Sequence, residues 1–181
     1  MTAETSPEIR RSSIGRVPLA GDVVAGRYVV ERVLGTGGMG MVVAARDRER
    51  DVRVALKLLV GGEAKAIQRF FREALLAGSF RSEHVAGILD VGRADDGTPF
   101  LVMEYLEGRD LAKVLAKEGP LPVDRAVDYV LQACEGLAGA HALGIVHRDL
   151  KPANLFLAKR PDGSRIIKLL DFGISKTPEP G

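Results

Sequence analysis

The first half of the chain alternates apolar and polar residues over short segments, a pattern typical of β-strands. Five such segments are rich in valine, leucine and alanine and are bounded by glycines or charged residues: 28–34, 41–47, 52–60, 87–95 and 98–106. The turn-forming residues Asp95, Asp96 and Gly97 lie near the junction of the last two segments. The pattern predicts an antiparallel sheet of five strands.

Helical spacing of apolar residues replaces this alternation in three other segments. Residues 63–80, between the third and fourth predicted strands, form the first, and residues 110–117 form the second. The third covers residues 122–143, where Pro122 suits a first helical turn and Gly144 suits the end of the helix. We therefore expect one helix within the strand-rich part and two helices after it.

The apolar segments 155–159 and 165–170 flank a Pro-Asp-Gly-Ser turn, which predicts a β-hairpin. The fold class is therefore α+β, with a lobe of five antiparallel strands and one helix at about residues 22–107. A mainly helical lobe follows at about residues 108–181. Residues 1–21 show no apolar periodicity, and we expect a flexible leader there.

Composition restricts the classes of partner. Of the 181 residues, 46% are hydrophobic, and Lys plus Arg exceed Asp plus Glu by only 26 − 24 = 2. We therefore expect about one globular domain that binds neither nucleic acid nor membrane surfaces. No apolar stretch approaches the roughly 18 residues of a membrane span, and the N-terminal segment has no apolar core of a secretion signal. These features favour a cytoplasmic location.

The chain has one cysteine, Cys134, so an internal disulfide is excluded. It shares a helical spacing with Val127, Val130, Leu131 and Leu137. This arrangement predicts a buried, unreactive thiol.

Glycines at Gly35, Gly37 and Gly40 form the pattern GTGGMG, in which backbone amides can approach phosphate oxygens closely. Dinucleotide-binding domains use the same spacing, but there the third glycine opens a helix. Here the following residues, MVVAAR, have strand character and include Val42. A glycine-rich hairpin turn without a ligand remains the alternative.

Lys57 lies inside an apolar strand, where a buried ammonium group requires an anion. The alternative is an edge-strand lysine whose ammonium group reaches solvent. Glu73 is the acid within the body of the 63–80 helix, and alone it would be explained as part of a solvated helix face.

The segment HRDLKPAN, His147 to Asn154, and the later Asp171, Phe172 and Gly173 carry the strongest chemical information. Together with GTGGMG, VALKLL, FREA, FLVMEYLEG and KLLDFGISK, they resemble bacterial eukaryotic-like serine/threonine protein kinases. The resemblance extends over about residues 21–176. It implies a kinase-like bilobal fold and transfer of the γ-phosphate of ATP, with Mg²⁺, to protein hydroxyls.

The resemblance also implies residue roles. Asp149 takes the proton of the acceptor hydroxyl, Lys151 neutralises the γ-phosphate, and Glu73 holds Lys57 against the α- and β-phosphates. Asn154 and Asp171 bind Mg²⁺. The residues implied to surround ATP are Leu34, Gly35, Gly37, Gly40, Val42, Ala55, Lys57, Met103, Glu104, Leu106 and Phe156.

Three further expectations follow from this likeness. Lys151 with Pro152 favours serine and threonine acceptors over tyrosine, and Arg148 suggests control by phosphorylation. His147 and Phe172 are expected to be packing residues.

No APE motif follows Gly173, so we expect a domain truncated after this point that has little activity on its own. An ATP-binding regulatory or decoy module without phosphoryl transfer is the alternative function. The sequence leaves open the protein substrate, the signal and whether the chain dimerises or lacks a C-terminal region.

Overall fold

The computed structural model describes residues 18–37, 40–59, 67–68, 71, 78 and 81–171. These residues group into two compact units. The first contains the described residues up to position 59 together with Asp90–Tyr105, and the second contains those from 67 to 89 together with 106–171.

A six-stranded sheet contains all the strands that the sequence predicts for the first half of the chain. Its members are β1 (Val23–Val24), β2 (Tyr28–Gly37), β3 (Gly40–Asp47), β4 (Val52–Leu59), β5 (Ile88–Arg93) and β6 (Pro99–Glu104). They are arranged in the order β1-β2-β3-β4-β6-β5, and the pairings from β1 to β6 are antiparallel. The five predicted strands are present, and the count differs because β1, only two residues long, adds a sixth.

Alternating side chains give this sheet one strongly apolar face. Its buried cluster consists of Val24, Tyr28, Val30, Met41, Val43, Ala45, Val54, Leu56, Leu58, Phe100 and Val102. Because neighbouring residues of a strand point to opposite faces, Val42, Ala55, Lys57 and Met103 lie on the other face of β3, β4 and β6. The apolar residues of the first face therefore form the core of the sheet. Val42, Ala55, Lys57 and Met103, on the opposite face, are among the residues predicted to contact the cofactor.

An ion pair fixes the turn between β3 and β4. Asp47, 1% exposed, accepts hydrogen bonds from Arg27 Nε at 2.8 Å and Arg27 Nη2 at 2.6 Å, and from the amide of Glu49 at 3.0 Å. The hydrogen bonds from Arg27, and to a lesser degree those from the turn amides, lower the pKa of Asp47 to about 2, against the opposing effect of burial.

The second unit contains two helices and a small sheet. Helix α1 spans Leu111–Glu118, and Asp110 caps it by accepting a 2.9 Å hydrogen bond from the Lys113 amide. Helix α2 spans Val123–Ala142. Strands β7 (Gly108–Asp110), β8 (Leu155–Lys159) and β9 (Arg165–Leu169) pair in the order β7-β8-β9. The predicted helices and hairpin are confirmed, whereas the three-residue β7 was not predicted.

The buried face of helix α2 differs from the predicted face, which contained Cys134 and the valines and leucines at the same helical spacing. The buried residues are Tyr129, Ala133, Gly136 and Ala140, while Val127, Val130 and Leu131 are more than half exposed. Cys134 is exposed, so the prediction of a buried thiol was wrong. The reason is close packing: the small residues on the buried face let the helix approach β9 and His84.

The helix predicted at 63–80 is described at four positions, 67, 68, 71 and 78, and all four are helical. Its remaining residues, including Glu73, lie outside the described residues, as do residues 1–17 and Phe172. Neither of the helices α1 and α2 combines the length and the apolarity that crossing a membrane requires.

Gly136→Ala should destabilise the chain by about 1–3 kcal/mol, because overpacking of a tight contact forces its neighbours to move. A Cβ atom at this position would lie 2.8 Å from Leu169 Cδ1 and 2.9 Å from the carbonyl oxygen of His84. Urea unfolding of the variant, with Cys134→Ala on the exposed face as control, measures this loss. Equal stability of the two variants would contradict the packing described for α2.

Asp47→Asn should reduce the dependence of stability on acid pH. Because folding lowers the pKa of Asp47 from 3.8 to about 2, the charged carboxylate stabilises the fold fully above about pH 4. This contribution is lost as the pH falls from about 4 through about 2. Thermal unfolding at pH 4.5 and pH 2 should therefore show a smaller difference for Asp47→Asn than for the unsubstituted chain. Asp51→Asn, at a side chain that is 83% exposed, should leave the difference nearly unchanged.

Candidate functional site

The glycine segment joins two strands of the first unit. Gly35 and Gly37 end β2, Gly40 begins β3, and Gly37 is the strand partner of Gly40. The segment therefore leads from strand to strand, and the strand–helix arrangement of a dinucleotide-binding fingerprint is absent from residues 40–47.

Packing within the described part of the chain does not require glycine at positions 35 and 37. A Cβ atom added at either position would meet no described atom within 4 Å, and neither residue has a positive φ. Close approach of a ligand to the backbone would explain glycine at both. Gly40 differs, because its φ of 137° is unfavourable for residues with a side chain.

Several residues predicted to contact the cofactor are paired across adjacent strands or lie close to such pairs. Lys57 is paired with Val42 on β3 and with Leu101 on β6, and Ala55 is paired with Met103. Leu34 lies where the register of β2 and β3 shifts, between Val33 and Gly35. Lys57 and Ala55 are two residues apart on β4. Their side chains therefore point to the same face of the sheet.

The remaining residues predicted to contact ATP are distributed between the units. Glu104 ends β6 as the strand partner of Val54. Leu106 and Phe156 belong to the second unit, where Phe156 is paired with Asp110 and Lys168. Glu73, the predicted partner of Lys57, lies outside the described residues, so that pairing stays a prediction.

Three residues of the HRDLKPAN segment meet in the second unit. Lys151 Nζ lies 2.8 Å from Asp149 Oδ2, and Asn154 Nδ2 donates to the Asp149 carbonyl at 2.7 Å and to Asp149 Oδ2 at 3.2 Å. Asn154 is buried at the end of the 3₁₀ helix Pro152–Asn154, whereas Lys151 and Asp149 reach solvent. The buried Asn154 amide thus anchors the Asp149 carboxylate, which in turn pairs with the Lys151 ammonium group.

His147 is 2% exposed and connects this loop with the end of β9. Its Nε2 donates to the carbonyl of Leu170 at 2.9 Å, and its Nδ1 accepts a 3.3 Å hydrogen bond from the Asp149 amide. Both bonds fit one neutral tautomer with its proton on Nε2. The structure agrees with the expectation that His147 is a packing residue.

Asp171 is the residue after Leu170, whose carbonyl binds His147. The Leu170 amide donates to the Asn154 carbonyl at 2.9 Å, so both backbone groups of Leu170 bind the HRDLKPAN segment.

Asp171 itself has a φ of 50°, and Arg148 has a φ of 56°. Residues with side chains adopt these left-handed conformations at a cost, and among the described residues Ala25 and Asp51 share them at turns of the first unit.

The donor set of Asn154 and Asp171 fits magnesium. Because Nδ2 of Asn154 donates to Asp149, the amide orientation is fixed, with Oδ1 on its other side. A carboxylate and an amide oxygen are hard ligands, and Mg²⁺ usually takes few protein ligands alongside phosphate and water. Within the described ranges, no group of three or more His, Cys, Asp or Glu side chains could hold a metal ion.

Sequence reasoning missed the role of Gln132. Its Oε1 accepts a 2.8 Å hydrogen bond from the Ile167 amide, two residues before the end of β9. A glutamine on a helix carries no sequence signal for a partner 35 positions away, so only the structure could reveal this contact.

Comparison with known proteins gives a consistent result. The family model described as "Protein kinase domain" matches residues 28–181. The chain is 40% identical over 159 residues to serine/threonine-protein kinase pkn3 of Myxococcus xanthus and 35% identical over 156 residues to PknB of Mycobacterium leprae. The crystal structure of a doubly substituted PknI kinase domain from Mycobacterium tuberculosis superposes with a TM-score of 0.76 at 32% identity.

The chain matches only part of each relative. Alignments with pkn3 and PknB use 86% and 83% of this chain but 29% and 24% of those proteins. The PknI alignment uses 91% of this chain and 65% of that kinase domain.

Asn154→Ala should destabilise the second unit by about 1–3 kcal/mol, because it leaves the Asp149 carbonyl without its 2.7 Å hydrogen bond. Chemical unfolding measures the effect, with Lys159→Ala at an exposed residue of β8 as control. A loss no larger than that of the control would show that Asn154 does not hold the loop.

Proposed function

This chain belongs to the protein kinase domain family, and from that premise we propose that it transfers the γ-phosphoryl group of ATP to serine or threonine hydroxyls of proteins. The observation that carries the proposal is the contact of Asp149 with Lys151 and Asn154. The names of the relatives, serine/threonine-protein kinases, support the choice of acceptor.

In this proposal Asp149 orients the acceptor hydroxyl and receives its proton as the oxygen forms its bond to the γ-phosphorus. The bond between the γ-phosphorus and the bridging oxygen breaks, and ADP leaves with that electron pair. Lys151, 2.8 Å from the carboxylate, supplies positive charge where the γ-phosphate oxygens gather negative charge. Asn154 fixes the carboxylate from its buried side.

The nucleotide is assigned to the first unit. Gly35, Gly37 and Gly40 offer backbone amides to the phosphates, and Lys57 offers its ammonium group to the α- and β-phosphates. The apolar side chains of Val42 and Ala55 lie on the same sheet face as Lys57, which supports an assignment to the adenine ring. Leu34, Met103 and Glu104 complete the proposed contacts of this unit. The sequence resemblance implies Leu106 and Phe156 as further nucleotide residues and Glu73 as the counter-charge of Lys57.

Asn154 and Asp171 would hold Mg²⁺, which supplies charge neutralisation of the β- and γ-phosphates when bound. The protein prepares these ligands by hydrogen bonds: Asn154 through its amide to Asp149, and Asp171 through the paired backbone of Leu170.

Asp149→Asn should lower the rate of phosphoryl transfer by about 10²–10⁴, because the hydroxyl proton loses its acceptor. Lys57→Met should reduce transfer to a similar or greater extent through loss of phosphate positioning. The measurement is transfer from γ-labelled ATP to a generic basic protein with Mg²⁺ by the purified chain. The matched controls, Asp162→Asn and Lys159→Met at exposed positions, should retain the full rate.

A thermal-shift titration with ATP distinguishes the alternative function. Stabilisation by ATP without transfer would support the alternative of a nucleotide-binding module, or of a truncated domain that binds ATP and does not transfer phosphate on its own. Transfer that survives in Asp149→Asn would contradict the assigned base.

A further inference from the structure

Strand β9 forms an edge of its sheet, yet four of its outward backbone groups are paired. The Ile167 amide donates to Gln132 Oε1 at 2.8 Å, and its carbonyl accepts from His84 Nδ1 at 3.0 Å. The Leu169 amide donates to the His84 carbonyl at 2.8 Å, and the Leu169 carbonyl accepts from the Ala86 amide at 3.0 Å. Edge strands normally leave such groups to solvent, so this edge is held by the segment around His84 and by α2.

His84 is central to this arrangement and is 6% exposed. While Nδ1 faces the Ile167 carbonyl, Nε2 lies 3.0 Å from Oε2 of Glu135 on α2 and 3.9 Å from Oε1 of Glu83. Glu83 in turn pairs with Arg160. The imidazole therefore joins three elements of the second unit: its own segment, helix α2 and strand β9.

The contact of His84 with Ile167 lies close in sequence to Asp171, the proposed metal ligand. Ile167 lies four residues before Asp171, which has a left-handed φ of 50°. A strained residue keeps such a conformation only when its surroundings determine it from several sides. His147 and Asn154 hold Leu170, and His84 with Gln132 holds the strand immediately before it.

We propose that His84, held by Glu135, is a positioning residue: it fixes the outer edge of β9 and thereby the backbone from which Asp171 presents its carboxylate to a divalent cation. The inference rests on the proposed function, because the cation is the one that accompanies ATP. It does not assign His84 a contact with substrate or metal. Partners that hydrogen-bond a metal ligand directly typically affect metal affinity 10–100-fold, and His84, which acts through the backbone of β9, should have an effect at the lower end of this range.

The first test measures the edge itself by hydrogen–deuterium exchange. His84→Ala should raise exchange of the amides from Ile167 to Asp171 at least about tenfold. In His84→Asn, the side-chain amide can donate to the Ile167 carbonyl from about the position of Nδ1, and exchange should return towards that of the unsubstituted chain. Val114→Ala, in the buried cluster of the same unit, is the control for a general loss of stability.

The second test measures the consequence with Mn²⁺ as a probe, titrated in the presence of a non-hydrolysable ATP analogue and followed by electron paramagnetic resonance. His84→Ala should bind Mn²⁺ about tenfold more weakly, and His84→Asn should recover most of that affinity. Val114→Ala, compared at a temperature that gives equal folded fraction, should bind as the unsubstituted chain does.

The outcomes separate this inference from the proposed function. If the unsubstituted chain does not bind Mn²⁺ with the nucleotide analogue, the proposed function fails, and exchange at Asp171 alone decides the inference. If His84→Ala leaves exchange or Mn²⁺ affinity unchanged, or if Val114→Ala changes them equally, the inference is overturned. Should His84→Ala not fold, Glu135→Ala provides the same test, because the Glu135 side chain is 69% exposed. It should accelerate exchange at Ile167 in the same direction.

Discussion

The buried imidazole of His147 is the contact on which the rest of the candidate site in the second unit depends. Its two nitrogens bind the Asp149 amide and the Leu170 carbonyl, so one side chain joins the loop of Asp149 to the strand that precedes Asp171. Buried backbone groups require partners, and both backbone groups of Leu170 find theirs in the HRDLKPAN segment, the carbonyl at His147 and the amide at the Asn154 carbonyl. A displacement of either segment would break both hydrogen bonds.

Hydrogen bonds along β9 also fix the backbone further from Asp149 and Asp171. Gln132 and His84 pair the outer edge at Ile167, and Asn154 pairs the amide of Leu170. The strained φ of Asp171 follows a strand whose position is determined from both sides. Packing contributes as well, since Gly136 lets α2 approach Leu169 and His84 more closely than a larger residue would permit.

Apolar periodicity was sufficient to predict the long elements of the fold. It predicted β2 to β6, helices α1 and α2, and the hairpin of β8 and β9, and most of these elements bury one regular face, although β5 has no fully buried residue. It missed β1 and β7, which are two and three residues long and too short to show a period. It also chose the wrong face of α2 for Cys134, because both faces of that helix are apolar and size complementarity decides which one is buried.

The candidate site was predictable where local motifs carry it and unpredictable where tertiary contacts do. The residues of HRDLKPAN are close in sequence, so Asp149, Lys151 and Asn154 could be recognised together before their contacts were known. The contact of His84 with Glu135 joins residues far apart in sequence that have no motif in common. Pairs of this kind are determined by the approach of a helix to a strand edge, which the sequence pattern does not specify.

The most direct measurement of the central claim is the identity of the phosphorylated amino acid, determined by mass spectrometry after the purified chain acts on a protein acceptor with Mg²⁺ and ATP. The account predicts phosphate on serine or threonine side chains. Phosphate on tyrosine alone, or phosphate that still appears with the Asp149→Asn variant, would contradict it.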